Sequence, residues 1–183
     1  MPKKIYLAFL RGINVGGNNI IKMVDLKDCF EKMNFTDVKT YIQSGNVIFG
    51  ASIKDEIKLE EKIEKVLSAQ FKYKSCVVVI AGDTLKEIVK QAPKDFGKNP
   101  EEYRYNVLFI KNPQNAKQIL KVIEAKEGVD SVVAGKHAIY FSNLISKATQ
   151  SRLNKIIQKP EYKYITIRNW NTTTKLLALI NHE

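Results

Sequence analysis

Apolar residues crowd together from Ile5 to Leu10, stop at Arg11, and give way to Gly12-Ile13-Asn14-Val15-Gly16-Gly17-Asn18-Asn19 before any periodic stretch resumes. So short a run, with Ile5 and Tyr6 in it, predicts a strand from Lys4 to Leu10 that ends in a glycine loop. From Met23 to Asn34, Leu26, Cys29, Phe30 and Met33 recur at helical spacing, with Asp25 and Asp28 near the end where the helix dipole favours anions. Asp37 to Ile42 and Asn46 to Phe49 then predict two strands joined through Gln43-Ser44-Gly45-Asn46, where glycine supplies the positive φ of a tight turn. Ser52 and Asp55 have capping-box spacing, and Ile53, Ile57, Ile63, Val66 and Leu67 line one side of a second helix whose exposed side carries Glu61 and Lys65. A strand from Ser75 to Ala81 completes the order β-α-β-β-α-β.

The same grammar returns after a connector at residues 83–102, which holds a short helix from Thr84 to Gln91 and then Pro93, Gly97 and Pro100. Tyr103 to Lys111 is strand-like, and Asn112-Pro113 suggests an N-cap followed by proline at the first helical position, with Ala116, Ile119, Leu120 and Ile123 as the apolar face. Val129 to Ala134 and His137 to Phe141 read as a hairpin. Lys147 to Lys159 reads as a helix with Leu153, Ile156 and Ile157 inward, Tyr162 to Arg168 as the last strand, and Thr172 to Asn181 as a closing helix. The expectation is an α+β protein of tandem ferredoxin-like (alpha-beta plait) repeats, βαββαβ twice, plus a C-terminal helix. Residues 1–82 form the first unit, 83–102 the connector, and 103–183 the second unit with its terminal helix. Ile5 to Leu10, Val77 to Ala81 and Val107 to Ile110 are apolar at consecutive positions, so both faces of those strands require cover from the other repeat, the connector or the terminal helix.

Composition narrows the function. The longest wholly apolar runs are strand-sized, and the run after the Met1-Pro2-Lys3-Lys4 start is too short for a secretory signal, so the chain is expected to be cytoplasmic, with no membrane partner. Cys29 and Cys76 sit in apolar patterns as small hydrophobes, and with His137 and His182 they make too sparse a set for a metal, so no metal or cofactor is expected. The net charge of +11 is uneven. Residues 1–82 hold 13 basic and 9 acidic side chains, residues 83–102 hold 4 and 5, and residues 103–183 hold 13 and 5. Such a field attracts phosphorylated small molecules or polyanions, or it is simply a solvated lysine-rich surface.

Two places carry candidate chemistry. The topology puts the end of the first strand beside the turn between strands two and three. Arg11, Asn14, Asn18, Asn19, Gln43, Ser44 and Asn46 then surround one cation with uncharged hydrogen-bonding groups, a set suited to a phosphate, a carboxylate or a nucleobase edge. The loop lacks the Lys-Ser/Thr of a P-loop and the spacing of a dinucleotide fingerprint. The second place is Arg168-Asn169-Trp170-Asn171-Thr172 with Lys175 one turn on, where a helix start offers amides to an anion and an indole offers a flat surface to a base. Asn171 or Thr172 is the expected N-cap, and Ser146-Lys147 is a further helix start of the same kind. One ligand reading joins both places into a composite site.

The stretches Leu10-Arg11-Gly12-Ile13-Asn14-Val15-Gly16-Gly17, Thr40-Tyr41-Ile42-Gln43-Ser44-Gly45-Asn46-Val47, Ser146-Lys147 and Arg168-Asn169-Trp170-Asn171-Thr172 with Lys175-Leu176 resemble, in order, the hallmarks of bacterial domain-of-unknown-function family 1697. The resemblance implies two ferredoxin-like units and no settled activity. Three functions remain open: a binding module for a phosphorylated small molecule or nucleotide, with nucleic acid as a weaker variant because the third strand lacks an RNP-type aromatic series; an enzyme acting on such a metabolite, with Lys147 or Lys175 as proton donor; and a structural or partner-binding protein.

Overall fold

The computed structural model describes residues 4–181; His182 lies outside them. Two compact units divide the chain near Leu85 and Lys86. The first contains β1 (Lys4–Leu10), α1 (Met23–Lys32), β2 (Thr36–Tyr41), β3 (Asn46–Ala51), α2 (Glu56–Phe71) and β4 (Val77–Ala81). α3 (Gly82–Lys90) runs across the division. The second unit continues with β5 (Tyr103–Ile110), α4 (Ala116–Leu120), β6 (Asp130–Ala134), β7 (Ala138–Leu144), β8 (Ile165–Asn169) and α5 (Trp170–Asn181). The fold is mixed α+β, with two four-stranded antiparallel sheets and a C-terminal helix.

The first sheet has the order β2-β3-β1-β4. Its register pairs Tyr6 with Phe49 on one side and with Ala81 on the other. Alternate residues of the strands, among them Tyr6, Ala8, Phe49, Val77 and Val79, pack with Leu26, Phe30, Leu59, Ile63 and Leu67 of α1 and α2 into one core. Phe30 and Phe35 close on Phe49, with ring centroids 5.4 and 4.5 Å apart. The intervening residues Leu7, Phe9, Ile48 and Val78 are equally buried, so the consecutive apolar runs do mark strands covered on both faces.

β4 lies at the edge of this sheet, where its outward amides would lack strand partners. Three glutamates one helical turn apart on α2 receive them instead: Val77, Val79 and Ala81 donate to Glu64, Glu60 and Glu56 at 2.8, 2.9 and 2.9 Å. On an exposed helix such like-charge spacing is unfavourable. Here each carboxylate gains a charge-assisted bond, worth roughly 1.5–3 kcal/mol. α2 begins differently from the Ser52–Asp55 expectation. Asp55 itself is the N-cap and accepts from the amides of Ile57 and Lys58, which moves Ile53 outside the helix and leaves Ile57 exposed.

The second sheet has the order β6-β7-β5-β8, and Leu108, Ile139, Phe141 and Ile165 pack with Ala116, Ile119 and Ile156 on one face. Two expected helices are corrected here. The Asn112–Pro113 peptide is cis, and the helix it was expected to open starts later. Asn115 is its N-cap, in a reciprocal capping box with Gln118, and α4 is only five residues long. The helix expected over Lys147–Lys159 is replaced by two 3-10 segments, Ile145–Gln150 and Leu153–Gln158, and a third, Pro160–Tyr164, takes the start of the strand expected over Tyr162–Arg168, which runs instead as Ile165–Asn169. Asp130 explains one break: its carboxylate accepts from the amide of Arg152 at 2.9 Å, so the backbone there bonds to a side chain and not to a helical carbonyl. Ile156 is buried as expected, whereas Ile157 is 53% exposed.

Candidate functional site

In the first unit, the glycine segment after β1 folds as a small hairpin. Val15 and Asn18 bridge across Gly16 and Gly17, whose φ values of 58° and 78° fit the mirror-image tight turn favoured between antiparallel strands. Asn14 and Asn19 are left-handed as well, and the Asn14 amide donates to the Asn19 carbonyl at 3.2 Å. The asparagine side chains staple this hairpin to its surroundings. Asn14 donates to the carbonyls of Ile21 and Gln43 and accepts from the Ile21 amide, while Asn19 donates to the Gly12 carbonyl.

The neighbouring turn is present where the topology put it. Leu10 donates to the Gly45 carbonyl at 2.8 Å. Gly45 has φ +80°, and a β-carbon there would stand 2.7 Å from Ile13 Cδ1, so buried Ile13 and the turn fit only with glycine. Asn46 is buried and donates to the Tyr41 carbonyl and to Ser44 Oγ. The Arg11 amide donates to the Cys76 carbonyl. Arg11 and Asn14 are half-buried, and Asn19, Gln43 and Ser44 are exposed. Much of the polar inventory expected to face a ligand is therefore spent on the loops' own backbone.

The second unit holds a more open arrangement. β5 pairs with β8 only from Asn106 to Ile110, because β8 ends at Asn169 and the chain turns into α5. Tyr103, Arg104 and Tyr105 thus extend past the last paired residue. A cleft of about 370 Å³ occupies that corner, lined by Gly97, Arg104, Asn106, Asn169, Trp170 and Asn171, together with Pro100, Tyr103 and Tyr105. Asn169, not Asn171 or Thr172, caps α5: its side chain accepts from the Thr172 amide at 2.7 Å. The early amides of a helix's first turn have no partner within the helix. Trp170 stands edge-on to Phe96, at 5.1 Å between centroids and 88° between planes. Gly97 lies so close that a β-carbon there would overlap the indole, which fixes the ring against the connector.

The remaining candidates separate by environment. Arg168 is buried, and loss of hydration lowers its pKa to about 10, which keeps it cationic at neutral pH. Its guanidinium donates to the Ile167 carbonyl. Thr172 is buried, while Lys147 and Lys175 are exposed and do not line the cleft. Sequence reasoning passed over Arg104, Tyr103, Tyr105 and Asn106. The signal was present in β5, Tyr103-Arg104-Tyr105-Asn106 followed by Val107-Leu108-Phe109-Ile110, a strand whose first half is polar and aromatic and whose second half is core.

Fold and loops define an α+β protein of two four-stranded antiparallel sheets with capped, motif-bearing loops at strand ends. The chain belongs to the family described as "Protein of unknown function (DUF1697)", whose profile matches residues 3–140 and so includes both the glycine hairpin and the Gln43–Asn46 turn. The match ends before Ser146-Lys147 and the Arg168–Thr172 stretch. Among solved structures, the chain is similar to a conserved bacterial protein, SP0830 from Streptococcus pneumoniae, at 23% identity over 97% of this chain and 99% of that one, with a TM-score of 0.83. That likeness speaks to fold. No curated protein matches the chain.

Proposed function

We propose that the cleft beside Trp170 binds a nucleotide or a related phosphorylated small molecule. One observation carries the reading: a guanidinium (Arg104), an indole (Trp170) and the N-terminal end of a twelve-residue helix converge on one open cleft, with amide side chains from Asn106, Asn169 and Asn171 around it. Arg104 and the helix end supply charge and N–H donors for a phosphate, the ring supplies an apolar surface for a base, and Asn106 and Asn171 supply paired donors and acceptors for its edge, while the Asn169 oxygen caps α5. No carboxylate, histidine or thiol is among the lining residues, so the groups present favour binding over proton transfer or nucleophilic attack. The net charge of +11 favours anionic ligands in the same sense.

The reading extends to architecture and setting. The strand orders β2-β3-β1-β4 and β6-β7-β5-β8 support two ferredoxin-like units, the second with 3-10 segments in place of its second helix. Cys29 and Cys76 form no disulfide, which suits a cytoplasmic protein. No helix among the described residues is long and apolar enough to cross a bilayer. Calorimetric titration with a panel of nucleoside mono-, di- and triphosphates and sugar phosphates tests the proposal. Saturable binding that Arg104→Ala weakens at least about tenfold, as expected for loss of a charge-assisted contact, supports it. Absence of binding across the panel, or binding indifferent to Arg104→Ala, refutes it.

A further inference from the structure

A second cleft, of about 290 Å³, adjoins the Trp170 cleft on the second sheet. The order β6-β7-β5-β8 places β7 and β5 at the centre of that sheet. Leu108, Ile139 and Phe141 face the core, so their strand neighbours occupy the other face. There the register sets Tyr105 opposite Ser142, Ser142 opposite Ser131, and Tyr140 opposite Val133. Phe96 of the connector packs edge-on against Tyr105 and Tyr140, with centroids 4.9 and 5.5 Å apart, and also against Trp170. These residues, with Lys94, Asp95 and Asn99, line the second cleft, apart from Trp170, which lines the first. Tyr103 and Tyr105 line both, and both clefts belong to the second unit.

Three observations select the ligand. Each cleft alone is near the small end for a ligand site, about 300 Å³, so neither has room for much more than one nucleotide. The second repeats the chemistry of the first: rings from Phe96, Tyr103 and Tyr105 beside hydroxyl and amide groups from Ser131, Ser142 and Asn99 suit the face and the edge of a base. Aromatic side chains on the central strands of a four-stranded sheet are also the arrangement by which such sheets stack successive unpaired bases. The reading against nucleic acid rested on the third strand of the first unit, whereas these rings lie on β5 and β7 of the second. Arg104 lines the first cleft and Lys94 the second, one cation for each phosphate, and residues 103–183 hold 13 basic and 5 acidic side chains. Asp95, the acidic lining residue, is paired with Lys98 at 2.6 Å, and the exposed Glu101 and Glu102 line neither cleft. We propose that the ligand of the Trp170 cleft is single-stranded nucleic acid, whose adjacent base occupies the second cleft beside Tyr103 and Tyr105. The inference rests on the nucleotide reading of the first cleft and names its substrate class.

Calorimetric titration of the full chain with nucleoside monophosphates, the matching dinucleotides and longer single strands of the same base tests the proposal. For the base that binds best, stacking of a second base makes the dinucleotide bind at least about tenfold tighter than the mononucleotide, and the longer strand keeps that gain. Arg104→Ala weakens mononucleotide and dinucleotide together. Val133→Glu, at an exposed position that lines the second cleft and not the first, abolishes the advantage of the dinucleotide and leaves the mononucleotide within about twofold. Circular dichroism shows that each variant is folded, and Ser131→Glu replaces Val133→Glu if the latter is not. A mononucleotide that binds as tightly as its dinucleotide overturns the proposal and leaves the reading of the Trp170 cleft standing. Absence of binding by every ligand removes both. A dinucleotide advantage that persists in Val133→Glu overturns the proposal, as does binding of the dinucleotide without the longer strand, since the site would then close on a free dinucleotide.

Discussion

Replacing Glu60 tests whether the glutamate series on α2 guards the sheet edge. Its side chain is 2% exposed and accepts from the Val79 amide at 2.9 Å. Glu60→Ala leaves that amide without its acceptor, a penalty of about 1–3 kcal/mol, and removes buried methylene surface worth ~1 kcal/mol. Glu60→Gln keeps an acceptor of the same reach but exchanges a charged bond for a neutral one about half as strong, a loss of ~1 kcal/mol. The order of stability is therefore native, then Gln, then Ala, with Ala ~2–4 kcal/mol below native. Urea unfolding gives the ranking from the midpoints at constant slope. Amide exchange localises it, because the Val79 amide loses protection in Glu60→Ala well beyond amides of β2 and β3. An Ala variant as stable as Gln, or an unchanged Val79 exchange rate, refutes the edge-guard argument.

Other predictions concern the two loops and the second sheet. Gly45→Ala forces a methyl to 2.7 Å from Ile13 Cδ1 at positive φ and lowers stability by ~2–4 kcal/mol, whereas Gly12→Ala, at φ +72° with open space around it, loses only ~1 kcal/mol; urea midpoints of the pair separate packing from backbone strain. Tyr140 is buried with its hydroxyl donating to the Ile88 carbonyl at 2.6 Å, and burial pushes its pKa up to about 12. A raised folded pKa means that its contribution is complete below pH ~10 and is lost as pH rises toward 12, about 2–3 kcal/mol in all. Urea titrations at pH 8 and at strongly alkaline pH should show this loss in the native chain and less of it in Tyr140→Phe.

Periodicity carried most of the architecture. Leu26, Cys29, Phe30 and Met33 predicted α1 and its buried face, and consecutive apolar runs predicted strands with two covered faces. The segment from Lys147 to Lys159 misled because spacing of three suits a 3-10 turn as well as an α-helix. What decides between them is the Asp130 carboxylate, a partner twenty-two residues from Arg152. The caps at Asn115 and Asn169 were misplaced by a few residues, since several Asn and Thr side chains compete locally and only geometry shows which one reaches an amide. Adjacency of the glycine loop to the Gln43–Asn46 turn followed from topology. That the loop's asparagines bond its own backbone did not, because a sequence shows donors and acceptors without their partners. The cleft in the second unit was half visible: Asn169, Trp170 and Asn171 stood out, while Arg104 was hidden in what read as an ordinary strand.

Trp170 is the only tryptophan in the chain and lines the proposed site, so its fluorescence reports on the cleft alone. Titrating the native protein with nucleoside phosphates at low salt gives the most direct test. The account predicts a saturable change in Trp170 emission for a nucleotide, weakened in Arg104→Ala and by added salt. Emission that stays constant throughout the panel, or that responds identically in Arg104→Ala, contradicts it.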